Sequence, residues 1–402
     1  MTAHTHTLKA PAIRTYDKGL LAAMLLLIAF GSLMIYSSTS VITPVLARRN
    51  ISEFYYFKRH MFTMALGFLV LFFTYRIKPA FLKRAAVPLL ACSFVLLLMV
   101  FLPYIGVTAG GARRWIRLWP TTFQPSELVK LSMVIFLARY LSMPDYNPES
   151  FSSFIRPLIV MASFQVVFLK QPDFGSTMSL AFLTFAMLFI SGMRMRYIAS
   201  VLVLAIPVVV KLVMEPYRLR RITSFLDPWK DPLGSGFQLS QSFIALGSGG
   251  VSGLGLGESK QKLAFLPASH TDFIFCLVGE ELGLVGASVL ISLFVFLFAR
   301  GISISNRSQD KFVCYLSYGL TLMISLQALI NFAVVTGLVP TKGLPLPFLS
   351  YGGSALLANM AAIGLLLRIS RGDEVLPEDG NRAAKVRRVA RRNIYGGKGM
   401  EA

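Results

Sequence analysis

Apolar runs long enough to cross a lipid bilayer recur along almost all of this 402-residue chain, and that recurrence leaves few folds open. A hydrocarbon core about 30 Å thick takes roughly 20 residues of helix. The runs predict an all-α polytopic membrane protein with ten transmembrane helices, at 19–41, 57–76, 85–104, 126–143, 154–170, 174–192, 197–214, 272–299, 312–338 and 352–369. Only Gln171, Pro172 and Asp173 separate the fifth and sixth. Proline breaks a helix, so a tight turn joins them. Composition agrees: 15% of residues are charged, against about 25% in soluble domains. Residues 1–18 read as a cytoplasmic N-terminal segment, 19–370 as the membrane domain and 371–402 as a basic cytoplasmic tail. The first apolar stretch is too long for a signal h-region and reads as a retained span.

Short-loop charge sets the orientation. With the N-terminus inside, Arg76, Lys78, Lys83 and Arg84 face the cytoplasm, as do Arg194, Arg196, Arg300, Arg307 and Lys311. The tail, with Lys385, Arg387, Arg388, Arg391 and Arg392, joins them. The positive-inside rule is met, and ten spans put both termini in the cytoplasm. A large extracytoplasmic loop, 215–271, then lies between helices seven and eight. Basic residues on the outward side run against the rule: Arg113, Arg114 and Arg117, then Arg218, Arg220, Arg221, Lys230, Lys260 and Lys262. Binding a polyanion there is one reason; contact with lipid headgroups is the other. The tail suits anionic lipid.

Several classes fall away. The net charge of +21 raises nucleic acid as a partner, but little of the chain could form the aqueous basic face such binding needs. Cys92, Cys276 and Cys314 are scattered through apolar runs, which makes neither a disulfide framework nor a metal cluster; they read as packing residues. Gly253, Gly255 and Gly257 form a GxGxG run without a preceding strand or a following Lys-Ser/Thr. As a nucleotide signal it fails, and the glycines read as places where backbone packs closely or approaches the bilayer surface.

Five constellations could carry chemistry. In Phe123-Gln124-Pro125-Ser126-Glu127-Leu128-Val129-Lys130, Pro125 suits the first turn of a helix. Glu127 and Lys130 then share one helix face. A charged pair entering a membrane helix is a functional candidate; a structural ion pair is the plain alternative. In Gln171-Pro172-Asp173, the acid suits an N-cap more than catalysis. The stretch Tyr217–Gly250 interleaves Arg218, Arg220 and Arg221 with aromatics, which suits contact with both pyrophosphate and lipid. Asp272 sits where the long loop enters span eight, after His270 and Thr271. Desolvation there would raise its pKa and suit a general base, though an N-cap is equally ordinary chemistry. His270 would orient it or pack. Glu280 and Glu281, deeper in the span, read as an internal hydrogen-bonding feature. Finally Asn331 and the Pro/Gly-rich run Pro340–Ser354, with Lys342 and Ser350, must form irregular backbone, tolerated at membrane depth only where protein or a wet cavity covers it.

In order, the segments RRW…FQPSELVKL, QPDFGS, FLDPWKDPLGSGFQLSQS, LPASHTDFIF…GEELG and PTKGLPLPFLSYGGS resemble the SEDS proteins, the family of FtsW, RodA and SpoVE. The likeness runs from about the first span to the tenth. GESKQKLAFLPASHTDFIF is nearer the FtsW pattern, since a GTQ-type sequence before the LP motif is usual in RodA. The resemblance implies a peptidoglycan glycosyltransferase in the bacterial inner membrane at the division septum. It implies lipid II as substrate and a class B penicillin-binding protein transpeptidase, with other divisome proteins, as partners. The family's essential acid corresponds to Asp272, and its functional Arg, Glu and Lys to Arg114, Glu127 and Lys130. Where the family commonly has Glu after the LP dipeptide, this chain has Ala268 and Ser269, which leaves the base role with Asp272. Arg114, Lys130, Arg218, Arg221 and Lys342 are the candidate cations for a departing diphosphate, the first two favoured by the resemblance. Glu127, His270 and Ser350 complete the expected substrate-binding set. A divalent cation, Mg or Mn, could assist, but no dedicated ligand cluster is visible. A lipid II flippase and a non-catalytic divisome scaffold are the rival readings.

Overall fold

The computed structural model describes residues 16–40, 55–109, 111–118, 121–262 and 271–372. His270, Ala268 and Ser269, most of the N-terminal segment and nearly all of the basic tail lie outside these. Every expected apolar segment is helical. They are α1 (Lys18–Ser40), α2 (Tyr55–Arg76), α3 (Pro79–Met99), α4 (Pro125–Leu141), α5 (Phe151–Lys170), α6 (Phe174–Ile190), α7 (Met195–Val213), α10 (Ile274–Arg307), α11 (Lys311–Val335) and α12 (Gly353–Ser370). The long loop contributes two more, α8 (Pro216–Leu226) and α9 (Phe237–Ser248). Among the described residues seven helices are long and apolar enough to cross a membrane: α1, α2, α3, α5, α10, α11 and α12. The chain is a multi-pass membrane protein. Helices α4 and α6, with 17 residues each, are shorter, and the apolar part of α7 covers Met195–Pro207.

The all-α expectation needs one correction. Between α3 and α4 lies an antiparallel meander, β1 (Gly106–Ala109), β2 (Ala112–Leu118) and β3 (Thr121–Phe123), in the order β1-β2-β3. Ala109 pairs with Ala112, so two residues close the first hairpin. Gly111 takes φ +75° there, as tight hairpins of right-twisted strands require. The third helix accordingly stops at Met99, short of the expected 104. Cys92 needs a second correction: it is exposed on α3, whereas Cys276 is buried.

Charged side chains pin the two ends of the bundle. At one end Asp17 caps α1 through the Leu20 N–H (2.8 Å) and pairs with Arg300 of α10 (2.5 Å). Its own N–H donates to Ser370 Oγ at the end of α12 (2.9 Å). At the other end α10 breaks at Gly283 (φ 64°, ψ −164°), and the glycine run of residues 249–257 folds against the break. Leu254 and Gly255 donate to the carbonyls of Glu280 and Glu281, while Leu284 and Val285 donate back to Gly250 and Val251. A Cβ at Gly253 would lie 2.2 Å from the Glu281 carbonyl oxygen. Of Gly253, Gly255 and Gly257, the first serves close approach, while the other two have room around them and supply positive φ (108° and 87°).

The Pro/Gly-rich strap, residues 340–352, enters this same end. Residues 346–350 are buried, so protein covers the irregular backbone. Gly31 of α1 makes the space: a Cβ there would fall 2.6 Å from the Cα of Leu349.

Candidate active site

The strap, the meander, the turn at 171–173 and the start of α10 converge at one end of the bundle. Alternation along β2 sends neighbouring arginines to opposite faces. Arg113 turns back to the end of α3, donating to the carbonyls of Phe101 (3.1 Å) and Leu102 (2.7 Å). Arg114 points the other way and donates to the carbonyls of Pro172 and, at 3.5 Å, Gln171. Its guanidinium lies 4.0 Å from Asp173. Asp173 caps α6, accepting from the Ser176 N–H (3.2 Å) and Oγ (2.8 Å), so the capping role expected of it holds. Gln124 joins the group: its N–H donates to Ser354 Oγ (2.8 Å) and its side chain to Asp173 (3.4 Å).

Asp272 stands one residue before the Phe273 N-cap of α10. It is half-buried, and among the described residues no hydrogen bond or ion pair reaches its carboxylate. Burial pushes its pKa up to about 6, partly offset by the positive charge of Arg114. The strap passes so close that a Cβ at Gly343 would sit 2.9 Å from Asp272 Oδ2. Next along, Lys342 rests against Met178 of α6, and burial lowers its pKa. Arg221 of α8 donates to the carbonyl of Thr341 (3.4 Å). One end of the molecule therefore gathers an ionisable acid with Arg114, Lys342 and Arg221. The side chain of Arg218 is not among those described.

Glu127 and Lys130 lie deeper, at 3% and 2% exposure, with the ammonium 2.8 Å from the carboxylate. Pro125 at the first turn of α4 sets their phase. Lys130 also donates to Gln327 Oε1 of α11 (3.1 Å). Among the described residues their hydrogen-bonded link to the strap runs through that amide, and a direct grip on a diphosphate does not fit their depth. Ser350 also departs from expectation. Its hydroxyl donates to the Thr271 carbonyl (2.5 Å) and accepts from the Leu346 N–H (2.7 Å). It is used within the protein, holding the strap to the segment that carries Asp272. Gln327 escaped notice in the sequence; the signal was a polar residue one turn before Asn331 inside an apolar run.

Lys262 is a further correction to the outward basic cluster. It is buried and pairs with Glu281 (3.5 Å), so it cannot meet a polyanion. Among the described residues no group of three or more His, Cys, Asp or Glu gathers as a metal site, and no step below passes through a metal.

Comparison with known proteins identifies the family. A family model for FtsW, RodA and SpoVE, described as "Cell cycle protein", matches residues 18–374. The chain is 43% identical over 371 residues to a "Probable peptidoglycan glycosyltransferase FtsW" of Trichlorobacter lovleyi, covering 92% of this chain and 96% of that one. It is 41% identical over 360 residues to a protein of the same description from Geobacter sp. (strain M18), covering 89% and 97%. Among solved structures it resembles a chain from work on "Structural coordination of polymerization and crosslinking by a peptidoglycan synthase complex". There the TM-score is 0.73 and the identity 29%, covering 89% of this chain and 99% of the other. Thermus thermophilus Rod shape determining protein RodA follows at a TM-score of 0.64 and 27% identity, covering 89% and 98%.

Proposed function

The chain belongs to the FtsW, RodA and SpoVE family, and from that premise we propose that it is a peptidoglycan glycosyltransferase polymerising lipid II during septal cell-wall synthesis. One observation carries the site assignment. Asp272 is an ionisable carboxyl with no protein partner among the described residues, at the end of the bundle where Arg114, Lys342 and Arg221 gather.

In this reading the ten helices α1–α7 and α10–α12 cross the inner membrane with both termini in the cytoplasm. The meander, residues 215–271 and the strap then lie outside. Asp272, ionised above pH 6, accepts the proton of the acceptor sugar's 4-hydroxyl. That oxygen attacks the anomeric carbon of the donor sugar from the face opposite the leaving group. The bond to undecaprenyl pyrophosphate breaks, with inversion. Negative charge grows on the diphosphate in the transition state, where Arg114, Lys342 and Arg221, with Arg218, would stabilise it. Glu127 and Lys130 support the strap from below. A class B penicillin-binding protein transpeptidase crosslinks the product strand.

Purified protein with its transpeptidase and lipid II tests the assignment. Asp272→Asn should insert, bind the partner and lose roughly 10²–10⁴-fold in polymerisation rate. Wild-type polymerisation by that variant, with the partner's own transferase capacity excluded, would refute it. Movement of labelled lipid II into sealed vesicles without polymer formation would favour a transporter instead.

A further inference from the structure

Two amide side chains on α11 link the buried ion pair to the candidate base. Gln327 and Asn331 are four residues apart and share a helix face, at 2% and 1% exposure. Gln327 accepts from Lys130 Nζ (3.1 Å) and donates to the Pro345 carbonyl (2.8 Å). Asn331 Nδ2 donates to the Leu344 carbonyl (2.7 Å) and to the carbonyl of Asp272 itself (2.8 Å).

A purely structural reading covers part of this. The strap is rich in proline, its carbonyls have no strand partner, and buried carbonyls need donors. The Asp272 carbonyl has the same need, so what the pattern adds is the pairing: one side chain holds both the strap and the Asp272 peptide, while its Oδ1 is buried with no partner among the described residues. An amide that leaves its acceptor unmet while spending both donor contacts on these two carbonyls ties the strap to the Asp272 peptide. The strap and the carboxylate are in close register there: a Cβ at Gly343 would sit 2.9 Å from Asp272 Oδ2.

We propose that Asn331, backed by Gln327, is a positioning residue for Asp272, holding its peptide in register with the strap that carries Lys342. The amide ladder runs from the Glu127–Lys130 pair through Gln327 and the strap to Asn331 and Asp272. This rests on Asp272 as the base. A carboxylate displaced by about 1 Å from its productive geometry loses roughly 100-fold in rate, while substrate held by other groups still binds.

The test measures kcat and KM for lipid II polymerisation by the purified protein–transpeptidase complex, for Asn331→Leu, Asn331→Asp and Gln327→Met, with Asp272→Asn alongside. Both Asn331 variants should lose roughly 100-fold in kcat with KM within about twofold of wild type. Gln327→Met should lose roughly tenfold, since it holds only the strap. Wild-type kcat per folded molecule in either Asn331 variant overturns the proposal. So does failure of both to accumulate as folded complex, which would make Asn331 a folding residue. An inactive Asp272→Asn beside an active Asn331→Asp brings down the positioning role alone. An active Asp272→Asn brings down the base assignment beneath it.

Discussion

Among the described residues two acid–lysine pairs are buried in this bundle, and they are built differently. Glu127 and Lys130 lie one turn apart on α4 and have, among the described residues, a single further hydrogen-bond partner, Gln327. Glu281 and Lys262 come from a helix and a folded loop, and polar groups surround them. Ser37 of α1 donates to both oxygens of Glu281 (2.7 and 2.8 Å), and Lys262 also donates to the Gly257 carbonyl. Neighbouring Glu280 accepts from Ser259 Oγ and from the N–H groups of Lys260 (2.9 Å) and Gln261 (3.4 Å). Charge at membrane depth is a default sign of function, yet the second cluster is a clamp. It closes the glycine loop over the break in α10. The sparsely bonded pair is the one connected to the strap and Asp272. Saturation with local partners separates scaffold from site better than burial does.

The largest effect should separate the two acids that face each region. Asp272→Asn should cost roughly 10²–10⁴-fold in polymerisation rate, the worth of a general base. Glu280→Gln keeps most of its accepting capacity and should leave the rate per folded molecule within about threefold, in the same assay.

Breaking either pair from one side should destabilise the protein. Lys130→Met and Lys262→Met each strand a buried carboxylate, at about 3–5 kcal/mol, read as reduced thermal stability in detergent. The double variants sharpen the contrast. Lys262→Met with Glu281→Gln should recover both stability and rate, because a neutral clamp still closes. Lys130→Met with Glu127→Gln should recover stability alone, since the ammonium that holds Gln327 is gone. Equal recovery of rate in both doubles would erase the distinction.

A smaller effect tests the space beside the acid. Gly343→Ala pushes a methyl into Asp272 Oδ2, and the carboxylate, as a side-chain end, yields before the backbone does. The rate should fall roughly tenfold, as near-attack geometry is lost, with unchanged melting.

The smallest is a pH signature. With its pKa raised to about 6, Asp272 is protonated below that value, so polymerisation should decline as pH falls through 6. Stability runs the opposite way. A carboxyl whose pKa is higher folded than unfolded contributes stability at low pH and loses it as pH rises through about 6. Asp272→Asn should therefore melt like wild type at pH 4 and about 1–2 °C higher at pH 8. A rate that is flat between pH 5 and 8 would remove the titrating base from the mechanism.

Local chemistry was legible from residue order. Helix positions follow from apolar length, and Pro125 with the three-residue spacing of Glu127 and Lys130 predicts their pairing. Asp173 as a cap needs only its own turn and the next one. The meander was not legible, because its alternation is short and lies among residues that also suit a loop. Apart from the family resemblance, nothing in the local sequence distinguishes Arg113 from Arg114, and the strand sends one to α3 and the other to the 171–173 turn. Ser350 and Lys262 look available in sequence and are consumed in the fold.

What the residues alone determined is the membrane character of the chain, its helices, and the acids and cations that could do chemistry. Bilayer thickness and helix geometry impose those within a few neighbouring residues. Tertiary structure decided which partners from distant segments meet the buried charges, and that the Asp272 carboxylate keeps no protein partner among the described residues. Lys130 meets Gln327 across 197 positions and Ser37 meets Glu281 across 244. Partners so distant are brought together by the packing of the whole bundle, and no local preference encodes them.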